Sequence, residues 1–150
     1  MTADTEYMAL ALAQARRARD AGEVPVGAVL VQGERVIATG ANRPISACDP
    51  TAHAEVEALR AGARSLGSYR LGDTVLYVTL EPCLMCAAAL VHARVRRVVF
   101  GAWDPRAGAA GSMLDAFSLP ALNHRVDVFG GVLQDECAAL LMEFFESRRQ

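Results

Sequence analysis

Over the first twenty residues, apolar side chains recur at Met8, Ala11, Leu12 and Ala15, while Gln14, Arg16, Arg17 and Asp20 fall largely off that stripe. The three-to-four spacing predicts an amphipathic helix over residues 5–20. After Gly22 the period shortens. VPVGAVLV and RVIATG, joined by the polar turn QGE, predict two strands in a hairpin. ANRPISACDPT, interrupted by Pro44 and Pro50, predicts a loop, and Thr51 is the expected N-cap of a helix from about Ala52 to Arg64. His53 and Glu55 then fall in its first turns. DTVLYVTL, rich in β-branched residues, predicts a buried strand. Pro82 with CLMCAAALVHA predicts a helix starting at the cysteines, and RVRRVVFGA a further strand. Residues 101–125 read as loop, before a short strand near VDVF. A last helix presents Leu133, Cys137, Leu140, Leu141, Phe144 and Phe145 on one broad face.

Strands interleaved with helices imply an α/β protein in which a mixed sheet is covered on both faces, because crossover helices must bury their apolar stripes against it. The loops before His53 and Cys83 can bring both helix starts to one strand-end edge, where ligands bind in such folds. At 150 residues the chain fits a single domain, 1–150, with no internal repeat or linker.

Composition narrows the function classes. The chain has no uninterrupted apolar run of about 18 residues, and its start lacks the basic-then-apolar order of a secretory signal, so no membrane contact and a cytoplasmic location are expected. Four cysteines with 53% hydrophobic residues suit reduced thiols or metal ligands better than disulfide staples. A formal charge of -2 argues against a globally basic nucleic-acid binder, so any such contact must be local.

The stretch TLEPCLMC admits three readings: a redox pair, half of a structural metal knot, or part of a catalytic metal site. Set beside HAE at 53–55 it favours the third, since His53, Cys83 and Cys86 form a three-ligand set that leaves zinc's fourth position to water. Cysteines in a first helical turn are favoured as thiolates by the macrodipole. Cys48 stays open as a fourth ligand, which would make the site structural. His92 falls about half a turn from Cys83 on the helix, and Cys137 lies on an apolar stripe. Glu55 is an acid beside the metal histidine and free to move protons; Glu81 is a rival whose better reading is a bond to nearby backbone or loop. HxE with PCxxC is the zinc nucleobase deaminase signature, in which zinc-bound hydroxide is the nucleophile and ammonia leaves.

The segments EVPVGAVLV, NRPI, DPTAHAE, LYVTLEPCLMC, RVVFGA, GAAGS, NHRV and ECAALLMEFFESRR resemble, nearly end to end, the bacterial tRNA-specific adenosine deaminases of the TadA type in the cytidine deaminase superfamily. The resemblance implies a cytidine deaminase-like three-layer α/β/α sandwich with a mixed five-stranded sheet. It implies conversion of the wobble adenosine of a tRNA anticodon stem-loop to inosine by a homodimer with one Zn2+ per subunit. His53, Cys83 and Cys86 become the ligands and Glu55 the proton shuttle; Asn42 and the backbone N–H of Ala54 hold the flipped base. Asp104, Asn123, Phe144, Arg148 and Arg149 occupy positions of anticodon-loop contact, although Phe144 also fits the core and terminal arginines are often merely solvated. Arg43, Arg70, Arg106 and Arg125 are further candidate phosphate contacts, with solvation the ordinary alternative for each. The competing functions are a deaminase of a free base or nucleoside such as guanine or cytosine, and a non-catalytic zinc module closed by Cys48.

Overall fold

The structure is a computed structural model and describes residues 2–149. The chain runs α1 (Ala3–Asp20), β1 (Gly27–Gln32), β2 (Arg35–Ala41), α2 (Pro44–Ala47), α3 (Ala54–Leu66), β3 (Thr74–Leu80), α4 (Leu84–His92), β4 (Arg97–Ala102), a 3-10 turn (Ala116–Ser118), β5 (Asp127–Gly130) and α5 (Gln134–Arg148). The strands form one sheet in the order β2-β1-β3-β4-β5. β1 lies antiparallel to β2 and β3, whereas β3, β4 and β5 run parallel, so the expected mixed five-stranded sheet is what forms.

Strand alternation divides the core in two. Ala28, Leu30, Leu76, Val78, Val98 and Phe100 turn to one face, where α3 and α4 cover them through Ala54, Ala58, Ala87 and Leu90. Their neighbours Val29, Val31, Val75, Tyr77 and Val99 turn to the other face, against Met8, Ala11, Leu12 and Ala15 of α1 and Cys137 and Leu140 of α5. Burying a Leu, Val or Met contributes about 1.5–3 kcal/mol, and truncating Leu76 to Ala would cost about 2–5 kcal/mol. The helices sit close because two strand residues have no side chain. A Cβ on Gly27 would stand 2.1 Å from the Ala11 carbonyl oxygen, and one on Gly40 2.2 Å from that of Ala54. Alanine at either position would push α1 or α3 off the sheet.

Local differences from the sequence reading have physical causes. Pro44 does not merely break structure; it opens the short helix α2, because at a first helical position its missing N–H is no loss. α3 starts at Ala54 with His53 as N-cap. Thr51 is not the cap, since its hydroxyl is held by Asp49 Oδ1 at 2.7 Å. On α5, Cys137, Leu140 and Phe144 carry the packing, while Phe145 is exposed and Leu133 precedes the helix in a left-handed conformation. No helix among the described residues is long and apolar enough to cross a membrane.

Candidate metal centre and its surroundings

The end of β2, the end of β3 and the end of β4 lie at one edge of the sheet, as their registers require: Gly27 pairs with Ala41, and Leu80 with Ala102. The chain leaves that edge at Asn42, Glu81 and Trp103. From the loops beyond, α3 and α4 begin, with His53 and Cys83 as their N-caps. Both caps have extended backbone, φ -74° with ψ 154° at His53 and φ -74° with ψ 174° at Cys83. This resolves a geometric difficulty. Two helical residues at i and i+2 diverge by about 200°, yet His53 stands outside the helix, so its ring and the Glu55 carboxyl can serve the same place.

His53 Nδ1 lies 3.6 Å from Cys83 Sγ and 3.5 Å from Cys86 Sγ. For bond lengths of about 2.3 Å to sulfur and 2.05 Å to nitrogen, the N–S edge of a zinc tetrahedron is about 3.5 Å. The three donors therefore fit zinc, and their ligand atoms all fall within 4.8 Å of one another. Cys48 is not among them. It is exposed, and its thiol faces the Ile45 carbonyl oxygen at 3.8 Å. His92 is exposed at the far end of α4, and Cys137 is buried against α5's side of the sheet.

The electrostatics of the three donors favour one thiolate, at Cys83. The Cys86 thiol beside Cys83 holds the Cys83 thiol down at about 4 against burial, with the His53 ring helping. The hydrogen bond to Cys83, helped by its charge, raises His53 above its ordinary value against burial, and the Cys86 thiol, bonded to Cys83 and buried, is pushed up. Glu55 is buried, and desolvation raises its carboxyl to about 7. Its polar neighbours are its own backbone N–H, the thiols of Cys83 and Cys86 and the His53 ring. Such a group holds or releases a proton near neutral pH.

Around this centre, Asn42 Oδ1 accepts a 2.7 Å bond from the Ala54 N–H. The two groups expected to hold a base thus hold each other, and the helix's first N–H is satisfied. Asp104 stands at the same edge, its Oδ1 accepting from the N–H groups of Arg106 and Ala107. Arg148 stacks on the buried Phe144 ring with 4.6 Å from Cζ to the centroid, and it donates to the Gly22 carbonyl at 2.8 Å; Arg149 caps α5, exposed. Asn123 is not brought to the metal centre. It accepts from Arg94 Nη1 at 3.2 Å beyond the end of α4, about 13 Å along that helix from Cys83 by helical rise.

Sequence reasoning passed over one carboxylate altogether. Glu23 is buried, and it accepts from the N–H groups of Ile45 at 3.1 Å and Ser46 at 2.7 Å and from the Ser46 hydroxyl at 2.5 Å. It anchors α2, and with it the loop that carries Asn42. No spacing links residue 23 to residue 46, so periodicity carries no signal for its role. Glu81 behaves as its better reading held: buried, it binds the N–H groups of Asp104 at 2.9 Å, Ala110 at 2.9 Å and Ser112 at 3.1 Å, and the Ser112 hydroxyl.

Comparison with known proteins agrees with this geometry. Residues 1–102 match the cytidine and deoxycytidylate deaminase zinc-binding region. A tRNA-specific adenosine deaminase of Haemophilus influenzae is 49% identical over 148 residues, covering 98% of this chain and 86% of that protein. That of Agrobacterium fabrum is 48% identical, covering 99% and 98%. A solved structure from biochemical and structural studies of A-to-I editing by tRNA:A34 deaminases at the wobble position of transfer RNA is 49% identical. It superposes with a TM-score of 0.89, covering 91% of this chain and 99% of that one.

Proposed function

The chain belongs to the cytidine and deoxycytidylate deaminase zinc-binding family, and from that membership we propose a tRNA-specific adenosine deaminase that converts the wobble adenosine of an anticodon stem-loop to inosine. One observation carries the reading: the His53–Cys83–Cys86 spacing of a zinc tetrahedron lies in a chain nearly half identical, end to end, to tRNA-specific adenosine deaminases. The same likeness outweighs the alternative of a free-base deaminase.

His53, Cys83 and Cys86 hold the metal, one ion per subunit. When bound, zinc supplies Lewis-acid activation of a water at neutral pH. Glu55 takes a proton at the attack and returns one to the departing amine of adenine, which its raised pKa suits. The Asn42 amide and the Ala54 N–H exchange their mutual bond for bonds to the flipped base, so binding opens a contact already in place. Asp104, Phe144, Arg148 and Arg149 serve the loop around it. The whole chain, 1–150, acts as one domain in the cytoplasm. The resemblance supports a homodimer, and so does the outer flank of α4, where Leu84 stays 52% exposed. Asn123, distant from its own metal centre, belongs to an RNA contact away from the reacting base.

The test measures zinc content and then inosine yield from an adenosine-bearing anticodon stem-loop, with wild type and Glu55→Ala. Bound zinc in both proteins and inosine only with wild type is expected. Full activity in the variant would remove Glu55 from the mechanism.

A further inference from the structure

β2 is an edge strand, and α1 and α3 flank it on opposite faces of the sheet. Along its open edge runs a cavity of about 400 Å3 whose floor is Thr39, Gly40 and Ala41. Arg17 comes from the α1 side, Arg64 from the α3 side, and Arg43 from the strand's end next to Asn42. All three arginines are exposed.

Two carboxylates line the same cavity, and both are already occupied. Glu23 is held by Ile45 and Ser46, and Glu57 lies 4.0 Å from Arg43. Arg17 has only Gln14 Oε1, at 3.3 Å, and Arg64 makes no side-chain hydrogen bond or ion pair among the described residues. Two guanidinium groups with no carboxylate partner among the described residues thus line a groove in a protein whose net charge is -2. Arginine's planar donors match phosphate oxygens.

The groove reaches the metal side of the sheet: Asn42, in contact with Ala54 beside the metal donors, lines it, and so does Ala21, whose neighbour Gly22 holds Arg148. From Glu57 to Arg64 it follows about 10 Å of α3.

The geometry points to a subsite for the phosphate backbone of the single-stranded RNA flanking the target adenosine, with Arg17 and Arg64 as its anchors and Arg43 linking it to the metal centre. The inference rests on the tRNA deaminase reading and adds the path by which the loop strand leaves the reacting base. Backbone contacts of this kind position a strand without reading its sequence.

The experiment uses zinc-loaded full chain and an anticodon stem-loop that already carries inosine, so that nothing is consumed. Dissociation constants are measured across a salt series for wild type, R17Q/R64Q, R17K/R64K and a control pair, R35Q/R96Q, drawn from exposed arginines at the end of the strands opposite the metal donors. R17Q/R64Q should bind about tenfold more weakly, with the slope of log K against log salt shallower by about 1.4, two single-strand phosphate contacts' worth. R17K/R64K should restore most of that slope, which a folding defect would not. An R17Q/R64Q slope equal to wild type, or a control pair that loses as much, overturns the subsite. Wild type that makes no inosine from the adenosine stem-loop overturns the deaminase reading beneath it. Inosine formation with an unchanged R17Q/R64Q slope removes the groove alone.

Discussion

Glu55 and Glu81 each lie two residues from a metal donor, His53 and Cys83, and both are buried, yet they are opposites. Glu81 is surrounded by donors: three loop N–H groups and a serine hydroxyl meet its two oxygens. The loop passes so close that a Cβ on Gly108 would lie 2.3 Å from its carboxyl carbon. Burial raises the Glu55 carboxyl to about 7, and around it stand its own backbone N–H, the thiols of Cys83 and Cys86 and the His53 ring. A buried carboxylate therefore marks chemistry only when the fold withholds hydrogen-bond donors from it. Where donors are supplied, the same residue type becomes a fastener. Glu23, saturated by Ile45 and Ser46, belongs with Glu81.

The largest effect that bears on this contrast is on activity. Glu55→Gln should lower kcat by about 10²- to 10⁴-fold with zinc retained, read as inosine formed per chain alongside metal content. Its stability should move the other way. A carboxyl raised in the folded state contributes stability below its ordinary value of 4.5 that is lost as pH rises towards about 7. Metal-stripped wild type should thus lose on the order of 2 kcal/mol, relative to Glu55→Gln, between pH 4 and pH 8. Chemical denaturation at the two pH values checks it; a pH-independent difference would place Glu55 with the fasteners.

Glu81→Ala should do the reverse, costing about 3 kcal/mol of stability because several buried N–H groups lose their acceptor. Amide exchange should quicken across residues 104–112, and a stoichiometric zinc ion should remain. Glu23→Ala should cost less, about 2 kcal/mol, because its partners lie on an exposed helix of one turn where water can replace the carboxylate. Exchange should then quicken at Ile45 and Ser46 and leave 104–112 unchanged. If either variant lost zinc while folded, its carboxylate would be part of the metal centre and the division between the two kinds would fail.

The metal donors, and the acid next to them, were legible in the chain because their spacing is local: HAE and PCLMC each sit at a helix start, and the sheet between them announces itself by apolar period. α3's first residue was misread because Thr51 offers the right hydroxyl, and only the fold shows Asp49 taking it. The fasteners were harder to see. Glu23 reaches 23 positions along the chain to Ser46, and Glu81 31 positions to Ser112, distances at which no periodicity operates. The arginine groove joins α1, β2 and α3, so its residues converge only when Gly27 and Gly40 let both helices settle onto the sheet.

The smallest expected effect tests whether the metal centre is open. Cys48 was the one nearby thiol able to close it as a fourth ligand. The structure places it at the C-cap of α2 in a left-handed conformation, φ 50°, exposed and turned to the Ile45 carbonyl. A ligand held that way would have to give up its backbone geometry to reach His53, and α2 is pinned by Glu23 against such movement. Cys48→Ser should therefore keep one zinc ion per chain, keep its inosine yield, and change stability by less than about 0.5 kcal/mol. Metal content after dialysis against a chelator at graded concentrations is the sharper measurement, since a lost fourth ligand would release zinc at much lower chelator. Early release would make the centre a closed, structural one and leave Glu55 a buried acid with nothing to activate.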